Sequence, residues 1–168
     1  MLSVTKDKLF LALRKAFVLL ILYFLQNLFT RLPVMGAAPL FLPAAAIAIA
    51  LIADSEWSAG WGLLAGLLCD ISVGDSLLMF TITLMVAGLA AGFLAEFYFS
   101  RSFVTYLIFA ILTNALTLAL QLIPPVFFKG IDVNLLYPVA IVQFLYSVIF
   151  IPPIYFFAKR VSIAKRDA

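Results

Sequence analysis

Few residues able to do chemistry lie within the long apolar stretches of this chain. Asp70 closes the run Trp57–Cys69, and Asp75 follows it in a Gly-containing turn. Asp54 and Glu56 precede the run, and Glu96 and Arg101 bracket a later turn. An acid deep in a membrane is costly and by default marks function. At the edge of an apolar segment the same acid caps or turns the chain. Both roles fit Asp70, and Asp75-Ser76 has the chemistry of an N-cap for the next helix. The chain has no histidine, which removes the commonest general base and metal ligand. Its single cysteine, Cys69, excludes an intrachain disulfide and a Cys-rich metal site. In an apolar helix it reads as a small buried hydrophobe, because reactive thiols need electropositive, exposed surroundings. No Gly-rich phosphate loop with a lysine and no paired acids on one helical face occur. The residues therefore predict no enzyme, no cofactor and no metal site.

Uncharged polar residues are more ordered. Asn114, Thr117 and Gln121 recur at i, i+3 and i+7, which is one face of a helix. Gln143 and Ser147 on the last apolar segment, and Gln26 and Asn27 on the first, are candidates to meet that face. Such residues form interhelical hydrogen bonds worth about 0.6–2 kcal/mol each. They also suit a small-molecule pocket, and the spacing fits either reading. Glycines recur beside them: Gly62-x-x-x-Gly66 and Gly88-x-x-x-Gly92 are small-xxx-small pairs. Small residues let helix backbones approach closely in lipid, either within one bundle or against a partner.

The elements that must position these residues follow from composition. The 168 residues are 66% hydrophobic and 11% charged, with a mean hydropathy of +1.20. A soluble domain carries about a quarter charged residues. This chain is therefore an all-α integral membrane protein, and its length allows one bundle spanning residues 1–168. The net charge of +3 comes from basic residues gathered mainly at the two ends. That distribution concerns membrane topology and not nucleic acid.

The charge-free runs are Ala16–Thr30, Leu32–Ala53, Trp57–Cys69, Ser76–Ala95, Ser102–Phe128 and Val133–Ala158. A spanning helix needs roughly 20 residues. The first run qualifies when Arg14 and Lys15 snorkel to the interface. The third qualifies when Asp70 lies near the far interface. The runs predict six helices, at about 9–30, 34–53, 57–73, 77–97, 102–124 and 134–158. With six spans and a cytoplasmic N-terminus, nine Lys and Arg fall inside and two, Arg31 and Lys129, outside. Dropping the third span leaves five inside and six outside, so the positive-inside rule favours six spans with both ends cytoplasmic. The first helix is expected to stay uncleaved, because its apolar run is long for a signal core. Pro43 falls in the first turns of the second helix. Pro124-Pro125 is expected to end the fifth, before the outer loop FFKGIDVN. Pro152-Pro153 predicts a kink in the sixth. Trp57, Tyr137 and Tyr155 fit interfacial aromatic positions.

The segment GLLAGLLCDISVG, with Gly62, Gly66, Asp70 and Gly74, resembles the pattern of the rod shape-determining MreD family. The following VAGLAAG, with Gly88 and Gly92, and the polar helix LTNALTLALQL resemble that family's next two helices. The resemblance extends over most of the chain. It implies a non-enzymatic scaffold of the cell-elongation machinery in the bacterial cytoplasmic (inner) membrane. Such a protein would bind MreC in the bilayer. Through MreC it would connect to the MreB filament, the RodA polymerase and a penicillin-binding transpeptidase, and so help position peptidoglycan synthesis. Six short-looped helices also look like the substrate-binding subunit of an energy-coupling-factor vitamin transporter, whose docking motif Ala12-x-x-x-Ala16 is similar to. Arg14 and Lys15 interrupt that motif.

Overall fold

Seven helical segments account for nearly all the residues that the computed structural model describes, namely 2–31, 37–52, 55–73, 78–97 and 102–163. They are α1 (Leu2–Arg31), α2 (Leu42–Ile52), α3 (Ser55–Val73), α4 (Met79–Phe97), α5 (Phe103–Gln121), α6 (Ile123–Lys129) and α7 (Val133–Ile163). Four stretches are long and apolar enough to cross a membrane: Leu9–Arg31, Met79–Phe97, Phe103–Phe128 and Val133–Val161. Among the described residues the fold is helical, and these four stretches mark a multi-pass membrane protein.

Its chemistry is inverted relative to a soluble bundle. On α5, Thr105, Thr113, Asn114 and Thr117 are buried, while Val104, Ile108, Leu112 and Leu116 are exposed on the other side. On α1, Leu9, Leu13, Phe17, Leu20, Phe24 and Leu28 form an exposed stripe at helical spacing. Lipid is as apolar as these side chains, so nothing drives them inward, whereas polar groups must find partners inside.

The centre of the bundle is α2. Every residue from Leu42 to Leu51 is buried, and α1, α3, α4, α5 and α7 all pack around it. A helix apolar all round belongs in a core. Ala44, Ala45, Ala46, Ala48 and Ala50 keep it narrow enough for five neighbours to close on it. Its 11 residues rise about 16 Å, roughly half of a ~30 Å hydrocarbon core. The sequence predicts a full span over 34–53. The structure corrects this: residues 38–41 are non-helical, and the helix begins only at Leu42. Proline is the physical reason. A helix running through residue 39 would drive the Pro43 ring against that residue's carbonyl, and Pro39 biases residue 38 toward extended backbone. Starting at Leu42 puts Pro43 in the first turn, where its missing N–H is tolerated.

A second correction concerns the fifth helix. It breaks at Leu122, before the prolines, and Pro124 and Pro125 sit in the first turn of α6. Helix then continues to Lys129, through part of the expected loop, and stops at Gly130 in the left-handed conformation, φ 62°. Asp132 opens α7 by accepting from the backbone N–H of Asn134 at 3.1 Å. Pro138, Pro152 and Pro153 all lie inside α7.

Side-chain ties set the helix directions. The end of α1 meets the start of α2 and the end of α3 through Gln26. The end of α3 meets the start of α4 through Asp70. Near the other end, Lys15 of α1 lies over the ring of Trp61 early in α3, with Nζ 6.0 Å from the centroid. Tyr106 near the start of α5 stacks on Tyr155 near the end of α7, at 4.8 Å between centroids. Helices α1 and α3 thus run one way and α2 and α4 the other, and α5 and α7 are antiparallel. Tyr155 is one of the three aromatics expected at the interface. It is buried in that stack, whereas Trp57 and Tyr137 are exposed.

Candidate functional site

Gly62, Gly66, Gly88 and Asp70 build one seam between α3 and α4. A Cβ on Gly62 would fall 2.9 Å from the carbonyl carbon of Leu84. One on Gly66 would fall 2.7 Å from the carbonyl oxygen of Phe80, and one on Gly88 2.8 Å from that of Ser58. These neighbours are backbone, so they cannot rotate away. Gly62, Gly66 and Gly88 hold α3 and α4 at backbone contact inside this chain. Gly92 is buried on the same helix as Gly88. Gly74 lies outside the described residues, as do Asp54, Asp75, Ser76 and Arg101.

Asp70 ends the seam. Its Oδ1 accepts from the N–H of Phe80 at 3.2 Å and its Oδ2 from the N–H of Thr81 at 2.9 Å. The Thr81 hydroxyl also donates to Oδ2. These are first-turn N–H groups of α4, which have no partner within their own helix. A carboxylate there also meets the positive end of the helix dipole. Asp70 is a cap supplied from the neighbouring helix, and it is buried.

A second polar knot closes the start of α2. Gln26 Oε1 accepts from the N–H of Phe41 at 2.9 Å and of Leu42 at 3.2 Å. Gln26 Nε2 donates to Ser72 Oγ at 3.4 Å, and Ser72 Oγ donates to Asn27 Oδ1 at 3.1 Å. From the opposite side the N–H of Leu40 donates to Ser147 Oγ at 2.9 Å, and that hydroxyl donates to its own helix at Gln143 O. Non-helical backbone inside a membrane bundle needs such partners. Phe29, Phe41, Tyr146 and Phe150 pack edge to face around the knot, at 5.0–6.3 Å between centroids.

The α5 face behaves differently. Asn114 Nδ2 donates to Ala110 O at 3.2 Å, and the Thr117 hydroxyl to Thr113 O at 2.7 Å. Both bonds stay within α5. Gln26, Asn27 and Ser147 bond elsewhere, so the expected network of these residues with the α5 face does not form. The buried oxygens Asn114 Oδ1 and Gln121 Oε1 have no hydrogen-bond partner. Gln143 is buried on α7.

Two contributors were missing from the sequence reading. Ser72 joins Gln26 to Asn27, and Tyr106 donates its hydroxyl to Ile151 O at 2.9 Å, just before the proline pair. A serine in the last turn of a helix and a tyrosine in a membrane segment are too common to single out alone. Among the described residues no three His, Cys, Asp or Glu side chains come together. No family model, no curated protein and no solved structure matches the chain.

Proposed function

We propose that this chain is a membrane scaffold of the bacterial cell-elongation machinery, similar to MreD, which binds MreC in the inner membrane and carries out no reaction. The observation that carries this reading is the segment Gly62–Gly74. There the glycine and acid spacing resembles that family residue by residue at Gly62, Gly66, Asp70 and Gly74. The seam geometry is compatible with it: Asp70 uses both carboxylate oxygens to cap α4 and is not held as a reagent. Partners would meet the apolar outer faces of the helices, with both chain ends in the cytoplasm and six crossings between them.

The test is a deletion in the native host, complemented by wild type and by the Gly66→Val variant, together with purification of a tagged copy in mild detergent. The expected result is a change in cell width and elongation on deletion, and recovery of MreC with the tagged protein. Normal shape on deletion overturns the reading. Recovery of a vitamin together with ATPase and coupling subunits would replace it by the transporter-subunit alternative.

A further inference from the structure

The proline pair of α7 deprives one backbone oxygen of its helical donors, and that oxygen lies on the outer surface of the bundle. In an α-helix the carbonyl of Ile149 accepts from the N–H of residue 153, and in a tighter 3₁₀ turn from that of residue 152. Both positions are proline and carry no N–H. The carbonyl of Val148 is less affected, because Ile151 still offers it an N–H at the 3₁₀ position. The next N–H along, of Ile154, belongs to the Phe150 carbonyl in the helical pattern. Nearby hydroxyls are spent elsewhere, Ser147 on Gln143 O and Tyr106 on Ile151 O.

A helical carbonyl points along the axis toward the residue four further on, so this one lies on the face shared by Ile149 and Pro153. That face is open to the outside: Leu145, Ile149, Pro153 and Phe156 are all exposed, Ile149 at 68%. The nearest charged residues along the chain are Lys159, about 15 Å away toward one end of α7, and Asp132, about 25 Å away toward the other. With Lys159 at its interface, a hydrocarbon core ~30 Å thick places Ile149 near the midplane. Neither bulk water nor a lipid headgroup donates hydrogen bonds at that depth, and an unsatisfied carbonyl there is costly. Its complement is a donor that carries no charge, since a charge at the midplane costs more than the bond returns. Only a side chain brought in by another membrane helix meets both conditions. We infer that the Leu145–Ile149–Pro153–Phe156 face of α7 docks a membrane helix of a partner protein, whose Ser, Thr, Asn or Gln side chain donates to the Ile149 carbonyl.

The test measures binding of two synthetic probes to the full chain in nanodiscs, by fluorescence transfer from a label at its C-terminal end. One probe is a leucine-rich membrane helix with a single central asparagine, and the other has leucine at that position. Wild type is expected to bind the asparagine helix about 3- to 30-fold more tightly than the leucine helix. Pro153→Ala returns an N–H to the Ile149 carbonyl at an exposed position. It is expected to abolish that preference, leave binding of the leucine helix near wild type and keep or raise Tm. Equal affinity of wild type for the two helices overturns the proposal, and this comparison needs no variant. A preference that survives in Pro153→Ala overturns it as well. So does transfer between differently labelled copies of wild type that Pro153→Ala abolishes, which assigns the face to self-association. The proposal stands on α7 alone, so each of these results leaves the scaffold reading untouched.

Discussion

Replacing Asp70 by alanine strips the acceptor from two N–H groups of α4 and from the Thr81 hydroxyl. An N-cap lost in this way costs about 0.5–2 kcal/mol, and burial places this one at the upper end. Asp70→Asn keeps one oxygen and is expected to lose about half as much. Reversible unfolding in mixed micelles measures both, and wild-type stability in Asp70→Ala would refute the capping role. The glycines allow an internal control. Gly66→Ala forces α4 away from α3 and is expected to cost about 1–3 kcal/mol. Gly60 sits on the same helix with nothing within 4 Å of its Cβ position. Gly60→Ala is therefore expected to be neutral or to stabilise by up to about 1 kcal/mol, since alanine is the better helix former. Equal losses at 60 and 66 would argue against the seam. The acid and both glycine pairs stand out in the sequence, but their partners do not. Spacing tells which residues share a face, and only the packed structure tells what that face touches.

Among the elements, α2 depends most on the others. Its first N–H groups rely on Gln26 from α1, and the segment leading into it relies on Ser147 from α7. Gln26→Leu buries two N–H groups without an acceptor, at about 1–3 kcal/mol each. Asn27→Leu removes an acceptor for the Ser72 hydroxyl and a donor to the Tyr23 carbonyl but leaves no buried backbone N–H of α2 without its acceptor, and it is expected to cost less. Hydrogen exchange in the first turn of α2 should rise in Gln26→Leu and stay near wild type in Asn27→Leu. The apolar length of this region reads as an ordinary span, and the prolines locate its irregularity without fixing its extent. A signal for a central position was nonetheless present. The run LPAAAIAIALI offers no broad face of large side chains to lipid, as the exposed stripe of α1 does.

At the scale of the whole molecule, the six crossings proposed here would leave both chain ends on one side of the membrane. Reporter fusions after residue 168 and before residue 1 should therefore report the same compartment. A reporter in the segment 130–132 should report the opposite one. Opposite signals from the two chain ends would break the topology. Composition alone determined the class: with 11% charged residues there is no soluble surface, so the helices must meet lipid. Charge-free length determined where most helices lie. Tertiary structure alone decided that α2 and not the glycine-rich pair is the centre, and that Asp70 caps a neighbouring helix. It also decided that the α5 face keeps two acceptors open. These outcomes depend on which backbone groups meet in space. In lipid no hydrophobic drive orders the helices, so close packing and hydrogen-bond satisfaction decide the arrangement, and both are properties of pairs of helices that no single stretch of sequence contains.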